Sequence, residues 1–280
     1  MLRLGLKLSG QGTTPEELRA VWQIADAGGF DHCWNFDHFA ALGGDPELEV
    51  FEAWTVLAAM AEATARVRIG CMVTGNTYRH PAVLAKMAVT VDHLSGGRLE
   101  FGLGAAWAER EHEMLGLEFG TVGQRIARLD EACRIVKLLW TQERSDFDGR
   151  YYRLEDAIAN PKPVQKPQPP IWIGGSGERK TLRVVAEHAD VWNAPGGDVA
   201  EVTRLSGVLD RHCENVGRDP AAIRRSVQFR FDGDPESALR TAQGYAAAGL
   251  DDLIVMLAPG EAQDQAEQVA DLLPRLRELG

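Results

Sequence analysis

The sequence predicts an α/β fold, a single (β/α)8 TIM barrel that spans residues 1–280, and three observations support this prediction. The length suits one barrel, because such domains typically run to about 250 residues and insertions lengthen them. Short apolar runs rich in β-branched residues alternate with longer amphipathic stretches that open on a cap-like residue. This alternation occurs eight times along the chain, which favours a barrel over a doubly wound sheet.

The predicted elements follow one another in regular order. The first strand is predicted at residues 2–8, and its helix at residues 14–29 has Thr14 as N-cap and Pro15 in the first turn. The remaining strands are predicted at residues 31–36, 67–74, 98–104, 170–175, 190–194, 223–231 and 251–258. The remaining helices are predicted at residues 49–64, 80–97, 123–141, 178–189, 201–217, 235–249 and 261–280.

Two segments are longer than a plain connection, and they predict insertions after the fourth strand and before the fifth. The stretch GAAWAEREHEMLGLEFGTVGQ follows the fourth strand, so it lies at the C-terminal ends of the strands, where barrels build their active sites. Before the fifth strand, SDFDGRYYRLEDA has Asp148-Gly149 between aromatic and polar residues and predicts a small hairpin. The stretch NPKPVQKPQPP then predicts a stiff, extended connector.

Charge and cysteine content limit the classes of partner. The net charge of −11 argues against a nucleic-acid or anionic-membrane surface, because such surfaces are bound by clustered Lys and Arg. The cysteines show no zinc-type spacing, which predicts free buried thiols in a reducing cytoplasm. The chain starts with too short an apolar run for a secretory signal, and the stretch WTVLAAMA is too short to span a membrane. We therefore expect a soluble cytoplasmic protein with a small-molecule substrate.

The stretch FDHCWNFDHF contains two Asp-His pairs that the direction of the strand separates. Asp31-His32 begins the strand at the stability end of the barrel, whereas Asp37-His38 follows the C-terminal end, where sites are built. His38 with a neighbouring carboxylate suits acid-base chemistry near neutral pH, although a lone loop histidine is more often structural. The sequence does not decide whether Trp34 lies in the hydrophobic core or in the ligand pocket.

The segment IGGSGERKT is typical of an anion site. Gly174-Gly175 end a strand and let a ligand approach the backbone, and a helix is predicted to start near Ser176 to Glu178, so free amides point at the same place. A phosphate suits this arrangement, but an ordinary glycine turn capped by Ser176 explains it equally well. Basic residues nearby in the sequence supply positive charge to this site or are simply solvated: Lys162, Lys166, Arg179 and Lys180.

Two further motifs in the segment after the fourth strand are weaker. Gly102 and Gly104 lack the third glycine of a dinucleotide fingerprint, because Trp107 stands there, so a tight turn is the better interpretation. Glu109 and His112 have a helical spacing that could bind a metal, but an exposed, charged helix explains them better. We therefore expect no metal site.

Four segments together resemble the bacterial luciferase-like superfamily. They are WNFDHF, GCMVTGNTYRHPAVLAKMAVTVDHLSGGRLEFGLGAAW, EREHEMLG and PPIWIGGSGERKTLRVVAEHADVWN. Within the superfamily they look most like the branch that uses the deazaflavin coenzyme F420 for two-electron chemistry. The resemblance covers nearly the whole chain, with specific matches at residues 70–107 and 170–193, and it implies the TIM barrel independently of the periodicity.

The resemblance also implies roles for particular residues. It places Asp37 and His38 at the deazaflavin ring, with His38 stabilising charge or moving a proton and Asp37 orienting His38. It implies a non-prolyl cis peptide bond between Met72 and Val73 at the back of the ring. The residues that it assigns to the ring pocket or to the cofactor phosphate are Met72, Val73, Thr74, Gly104, Trp107, Gly174, Gly175, Ser176 and Gly177.

Two departures from the family limit the substrate. The sugar-phosphate dehydrogenases of the family have carboxylates at the end of the first strand and just after the fourth, where this chain has Gln11 and Trp107. We therefore expect no oxidation of glucose 6-phosphate. Relatives are often dimers, so the resemblance also implies a homodimer.

The leading hypothesis is a coenzyme F420-dependent oxidoreductase that transfers a hydride between the deazaflavin ring and a small organic substrate. One alternative is an FMN-dependent luciferase-like monooxygenase, because FMN binds the same scaffold through similar phosphate and ring contacts. The other alternative is a non-catalytic, cofactor-binding barrel.

Overall fold

A computed structural model describes residues 2–280, and eight parallel strands in it close into a barrel. The strands in chain order are β1 Arg3–Lys7, β2 His32–Asn35, β3 Arg68–Cys71, β4 Thr74–Gly75, β5 Leu99–Gly104, β6 Ser145–Asp148, β7 Arg153–Ala157, β8 Ile171–Gly174, β9 Val191–Ala194, β10 Arg224–Arg230 and β11 Asp252–Met256. The barrel order is β3-β2-β1-β11-β10-β9-β8-β5, and pairing of β5 with β3 closes it. The predicted TIM barrel is confirmed.

Helices surround the barrel, and most begin at a residue whose side chain caps them. They are α1 Pro15–Gly28, α2 Ala53–Ala63, α3 Pro81–Leu94, α4 Glu109–Leu115, α5 Val122–Thr141, α6 Thr181–His188, α7 Val199–Asn215, α8 Pro235–Ala247 and α9 Ala262–Arg277, with a short 3-10 turn at Pro220–Ala222. Thr14 caps α1 as predicted, and Thr121 forms a capping box with Gln124 at the start of α5. These caps satisfy amides that the helix itself leaves without a partner.

The third predicted strand, residues 67–74, is interrupted in the structure. Pairing between β3 and its neighbours ends at Cys71, the peptide bond between Met72 and Val73 is cis, and the chain resumes as β4, which pairs with β5. The cis bond therefore lies where the resemblance implied it. The hairpin predicted around Asp148-Gly149 is also present, formed by β6 and β7.

The interior of the barrel contains a small apolar cluster above a polar base. The cluster consists of Trp34, Met72, Trp172, Val191 and Ile254, so Trp34 belongs to the core. At the base, Trp34 Nε1 donates to Nδ1 of the buried His32 (2.7 Å), and His32 Nε2 lies 3.0 Å from Asp252 Oδ1. Since Nδ1 accepts, Nε2 carries the ring proton and donates to Asp252. His32 therefore lies at the stability end of the barrel, as predicted.

Two glycines make room for the rings inside the barrel. A Cβ on Gly5 would lie 1.9 Å from His32 Nδ1, and a Cβ on Gly70 would lie 2.3 Å from Trp34 Cζ3 and 2.5 Å from the carbonyl oxygen of Glu100. Such contacts cannot be relieved without moving a ring or a strand. The size of the indole and imidazole groups thus requires glycine on the two strands that pair with β2.

The cysteines lie within the packed layers between barrel and helices. Cys33, Cys71, Cys133 and Cys213 are all free and buried. Burial raises the pKa of the Cys33 and Cys133 thiols to about 12, so both stay protonated at neutral pH. In the described range, residues 2–280, none of the helices combines the length and the apolar character needed to cross a membrane.

Gly70→Ala should destabilise the protein strongly, because its Cβ would collide with both a ring and a backbone carbonyl. We expect the free energy of unfolding to fall by about 3 kcal/mol or more. Gly207→Ala in α7 is the matched control, since its Cβ meets nothing closer than 4.0 Å and alanine is favoured over glycine in a helix by roughly 0.5–1 kcal/mol. Urea denaturation of both variants measures the difference; equal stabilities would contradict the packing described for the barrel interior.

Candidate active site

A cavity of about 920 Å³ opens at the C-terminal end of the barrel. Each of the eight barrel strands contributes at least one lining residue at its end or in the loop that follows. This is the end of the barrel where TIM-barrel enzymes carry out their chemistry. The volume lies near the upper limit of ordinary ligand pockets, about 300–1,000 Å³, so the cavity has room for a planar ring and a small second molecule together.

His38 lies in the wall of this cavity and is held by a buried carboxylate. Its Nδ1 lies 2.7 Å from Oε2 of Glu111, a residue of α4 that is only 2% exposed. The other oxygen of Glu111 accepts from the backbone amides of Phe39 (2.6 Å) and Ala40 (2.8 Å), and the Tyr78 hydroxyl donates to Oε2. Because an ionised carboxylate only accepts, His38 carries its proton on Nδ1 and leaves Nε2 free for a ligand.

The charge of Glu111 follows from these contacts. Burial by itself raises the pKa of a carboxyl group, but the hydrogen bonds from His38, Tyr78 and the Ala40 amide outweigh it and lower the pKa of Glu111 to about 2. Glu111 is therefore ionised throughout the neutral range and stays an acceptor for the Nδ1 proton of His38.

Asp37 makes no hydrogen bond to His38, which corrects the direct orienting role that the resemblance implied for it. Arg79 binds its carboxylate through two nitrogens, Nη1 to Oδ2 at 2.6 Å and Nη2 to Oδ1 at 3.0 Å, and the Gly75 amide donates to Oδ2 at 3.1 Å. Arg79 also contacts Glu52 at the start of α2. A guanidinium outcompetes a loop imidazole for a buried carboxylate because it offers two parallel donors. Asp37 therefore ties β4 and α2 to the loop that carries His38.

Two residues in the middle of α4, Glu111 and His112, are buried, so the expected exposed, charged helix is wrong at these two positions. Glu111 faces His38, and the fully buried His112 stacks on Tyr78 with ring centroids 4.8 Å apart. His112 Nδ1 lies 2.7 Å from the Ala108 carbonyl, and its Nε2 lies 2.6 Å from Thr77 Oγ1. Thus α4 packs two polar side chains against the cavity wall, whereas Glu109, Arg110 and Glu113 are exposed as expected.

The wall formed by β3, β4, β5 and β8 is shaped by glycines around Val73. A Cβ on Gly104 would lie 2.7 Å from Val73 Cγ2, and a Cβ on Gly174 would lie 3.0 Å from Val73 Cγ1. Met72, Val73 and Thr74 line the same part of the cavity. The result is a smooth surface of backbone and one branched apolar side chain, which suits the face of a planar ring.

The residues assigned to the cavity from the sequence divide into two groups. Met72, Val73, Thr74, Gly104, Trp107, Gly174 and Gly175 line it together with Asp37 and His38. Trp107 is 66% exposed at the rim, and its ring is 5.6 Å from that of His38. Ser176 and Gly177 are exposed beyond the rim, and neither lines the cavity.

The turn after β8 differs from its predicted form. Gly175 has φ of 136°, and its amide donates to the Asn193 carbonyl (3.2 Å). The helix α6 begins only at Thr181, because residues 178–180 form a turn, so the predicted start near Ser176 to Glu178 is wrong. Thr181, the first residue of α6, lines the cavity. The amides that remain without a partner are therefore those around the turn itself.

Sequence reasoning missed several polar residues of the site: Lys7, Tyr78, Arg79, Glu111, Gln228 and Arg230. Lys7 gave a signal, because strand alternation in LRLGLKL places Arg3, Gly5 and Lys7 on one face and leucines on the other. Glu111 gave none, since its partners lie 33 to 73 residues away in sequence.

One group of side chains outside the cavity has metal-ligand composition. Ligand atoms of Asp130, Glu187 and His188 lie within 4.8 Å of one another, on the helices α5 and α6. His188 Nε2 lies 2.8 Å from Asp130 Oδ1, which an ordinary hydrogen bond explains. None of the three residues lines the cavity.

Comparison with known proteins gives one family match and many relatives. The model of the family described as luciferase-like monooxygenase matches residues 3–277. An F420-dependent glucose-6-phosphate dehydrogenase of Kineococcus radiotolerans is 32% identical over 256 residues, which cover 89% of this chain and 74% of that protein. An F420-dependent hydroxymycolic acid dehydrogenase of Mycobacterium tuberculosis is 30% identical over 242 residues, which cover 85% of this chain and 65% of that protein.

Solved structures share the fold at low sequence identity. An F420-dependent secondary alcohol dehydrogenase, solved with an F420-acetone adduct, has a TM-score of 0.90 at 18% identity and covers 99% of both chains. The coenzyme F420-dependent tetrahydromethanopterin reductase from Methanopyrus kandleri has a TM-score of 0.85 at 15% identity and covers 98% of this chain and 99% of that chain.

Glu111→Gln should destabilise the protein at neutral pH, because an ionised acceptor of four hydrogen bonds becomes a neutral amide that must also donate. We expect the free energy of unfolding to fall by about 1–3 kcal/mol at pH 7. Since the pKa of Glu111 is lowered from 4.5 to about 2, its contribution is complete above pH 4.5 and is lost as the pH falls toward 2.

Urea denaturation of wild type and Glu111→Gln at several pH values between 7 and about 3 measures this loss. Glu113→Gln is the matched control, because Glu113 is exposed on the same helix. A Glu111→Gln variant as stable as Glu113→Gln at pH 7 would contradict the network.

Proposed function

Since this chain belongs to the luciferase-like monooxygenase family and its relatives are F420-dependent dehydrogenases, we propose that it is an F420-dependent oxidoreductase that transfers a hydride between the deazaflavin ring and a small organic substrate. The observation that supports this function best is His38, a histidine whose Nδ1 is fixed by a buried carboxylate while the ring lines a cavity large enough for two molecules. When bound, F420 supplies the ring that gives or takes the hydride.

The residues of the cavity fit this cofactor. Gly104 and Gly174 leave the wall beside Val73 free of side chains, and a Cβ at either position would press on Val73. Met72 and Thr74 extend this wall, and Trp107 covers its edge at the rim. A flat ring can therefore lie against the wall without displacing any side chain.

The turn from Gly174 to Gly177 would hold the cofactor phosphate. The amides of Ser176 and Gly177 have no hydrogen-bond partner among residues 2–280, and both residues are exposed just outside the cavity. Lys180 stands at the start of α6 close to this turn. Free amides followed by a helix start are a common way to bind a phosphate.

His38 would hold or move the proton that accompanies reaction of the substrate. Its Nδ1 proton is committed to Glu111, so Nε2 is the atom that gives or takes a proton. Asp37 contributes indirectly, because its pairing with Arg79 and the Gly75 amide fixes the loop on which His38 stands. Trp107 and Phe36, whose rings lie 5.6 Å and 4.8 Å from that of His38, limit the positions that the imidazole can take.

We still expect no oxidation of glucose 6-phosphate, although several relatives are named glucose-6-phosphate dehydrogenases. Gln11 uses its amide within the rim, accepting from the Leu42 amide (2.9 Å) and donating to the Gly43 carbonyl (3.1 Å). Trp107 is likewise no proton acceptor. The absence of sugar-phosphate oxidation, the homodimer and the cytoplasmic location stay predictions.

The cofactor is tested by titrating the protein with F420 and with FMN and following the visible spectrum of each. We expect F420 to bind at least about tenfold more tightly than FMN, a difference of 1.4 kcal/mol. Gly104→Ala should weaken F420 binding by about tenfold, because its methyl group presses on Val73 and roughens the ring wall. Gly207→Ala, which is remote from the cavity, is the control. Tighter binding of FMN than of F420 would contradict the assignment of F420 as the cofactor and would favour an FMN-dependent monooxygenase.

His38→Ala should leave F420 binding within a few-fold of wild type, because the glycine wall and the phosphate turn are untouched. With a substrate that the wild type turns over, we expect kcat to fall by about 10²–10⁴-fold, the usual contribution of a general acid or base. Steady-state kinetics beside a Glu113→Gln control provides the measurement. Unchanged kcat would show that His38 has no catalytic role.

A further inference from the structure

The wall formed by β1, β11 and β10 carries cations that the proposed chemistry leaves unused. Lys7 on β1 and Arg230 on β10 are both in register with Met256 on β11, so they stand on either side of it at the same level of the barrel. Both side chains line the cavity, and so does Gln228, which precedes Arg230 on the same face of β10. Strand alternation directs all three toward the barrel axis.

Lys7 is buried without an anionic partner. Its side chain is 9% exposed, its Nζ donates to Oε1 of Gln228 at 2.7 Å, and it forms no ion pair with any carboxylate of residues 2–280. Burial lowers the pKa of Lys7 to about 8, so the ammonium form still predominates at pH 7. A buried charge normally has a counter-charge, and an ammonium with one of three donors engaged has two left for a ligand.

The other charged groups at the cavity are already engaged. Arg125 stacks on Phe119, with its guanidinium carbon 3.7 Å from the ring centroid, and donates to the carbonyls of Gly120 and Ala106. The carboxylate of Asp37 is neutralised by Arg79. In a chain of net charge −11, the wall of Lys7 and Arg230 is therefore a local positive region with nothing in the described chain to balance it.

The position of this wall relates it to the substrate. In the closed order β3-β2-β1-β11-β10-β9-β8-β5, the strands β1, β11 and β10 lie across the barrel from β8, β5 and β3, respectively. The latter three strands carry Gly174, Gly104 and the Met72–Val73 bond, which form the ring wall. A molecule packed on the free face of a ring held there would thus meet the wall of Lys7 and Arg230.

We propose that Lys7, Gln228 and Arg230 form an anion subsite that binds a carboxylate group of the substrate. This assignment deepens the proposed function, because it names the substrate class as small organic acids. Lys7 offers two free N–H donors beside the Gln228 amide, and Arg230 offers the planar pair of donors that matches two carboxylate oxygens. Met256 between them contacts the apolar part of the acid.

Binding of benzoate and of its neutral counterpart benzamide tests the subsite without any turnover. Isothermal titration is done with F420-loaded and with cofactor-free protein. In the loaded wild type we expect benzoate to bind about tenfold more tightly than benzamide, which corresponds to one charge-assisted hydrogen-bonded contact. Lys7→Met should reduce this ratio to about one, and Arg230→Gln should reduce it in part.

The control is Arg211→Gln, which removes one positive charge from the outer helix α7 and should leave the ratio unchanged. Lys7→Gln serves as a second variant if Lys7→Met misfolds. Equal affinities for benzoate and benzamide in the wild type, or a preference for benzoate that survives both Lys7 variants, would overturn the subsite.

The measurement separates this proposal from the proposed function. Lys7→Met should keep its affinity for F420 within about twofold, because Lys7 lies across the cavity from the ring wall. If the wild type fails to bind F420, the proposed function fails, while the ratio of benzoate to benzamide affinity in the cofactor-free protein still decides whether the anion subsite exists.

Discussion

The carboxylate of Glu111 accepts four hydrogen bonds, and the arrangement of the cavity's upper wall depends on them. A charge buried at this depth is tolerated only when each oxygen has donors, so the side chain draws together three separate segments: α4, the loop after β2 and Tyr78. The two backbone amides fix the course of the loop, and the imidazole is then fixed by the loop. The preorganised state of His38 is thus set by a neighbour that touches no substrate.

The two Asp-His pairs of residues 30–39 show that position in the barrel, and not residue type, decides the role. At the base, His32 accepts from Trp34 and donates to Asp252, so both ring nitrogens are committed inside the core. At the mouth, His38 has one nitrogen committed and one free. A histidine such as His32, with both ring nitrogens bonded, stabilises and specifies a packed interior. A histidine such as His38, with one ring nitrogen free, can exchange a proton with a bound molecule.

Sequence periodicity was sufficient for the barrel, because apolar alternation and helix caps are local properties. Strand direction alone also separated His38 from His32, and the glycines 104, 174 and 175 fell in the cavity as expected. What periodicity could not supply were pairings across the fold. Asp37 lies beside His38 in sequence but binds Arg79, 42 residues away, and Glu111 looks like any surface glutamate of a charged helix. A charged residue on a solvated face cannot be told from one in a buried network by its residue type, so only the contacts in the folded protein distinguish the two.

The opposition of the two cavity walls has a consequence for how such a protein can diversify. The wall of β3, β5 and β8 consists of backbone and glycines, where a new side chain collides with Val73 or its neighbours. The facing wall of β1, β10 and β11 consists of long side chains that line the cavity. Substitutions on the wall of β3, β5 and β8 therefore disturb the packing, whereas substitutions on the wall of β1, β10 and β11 disturb it less. A lineage can exchange the molecules it acts upon through a few strand-end residues while the opposite half of the barrel mouth remains as it was.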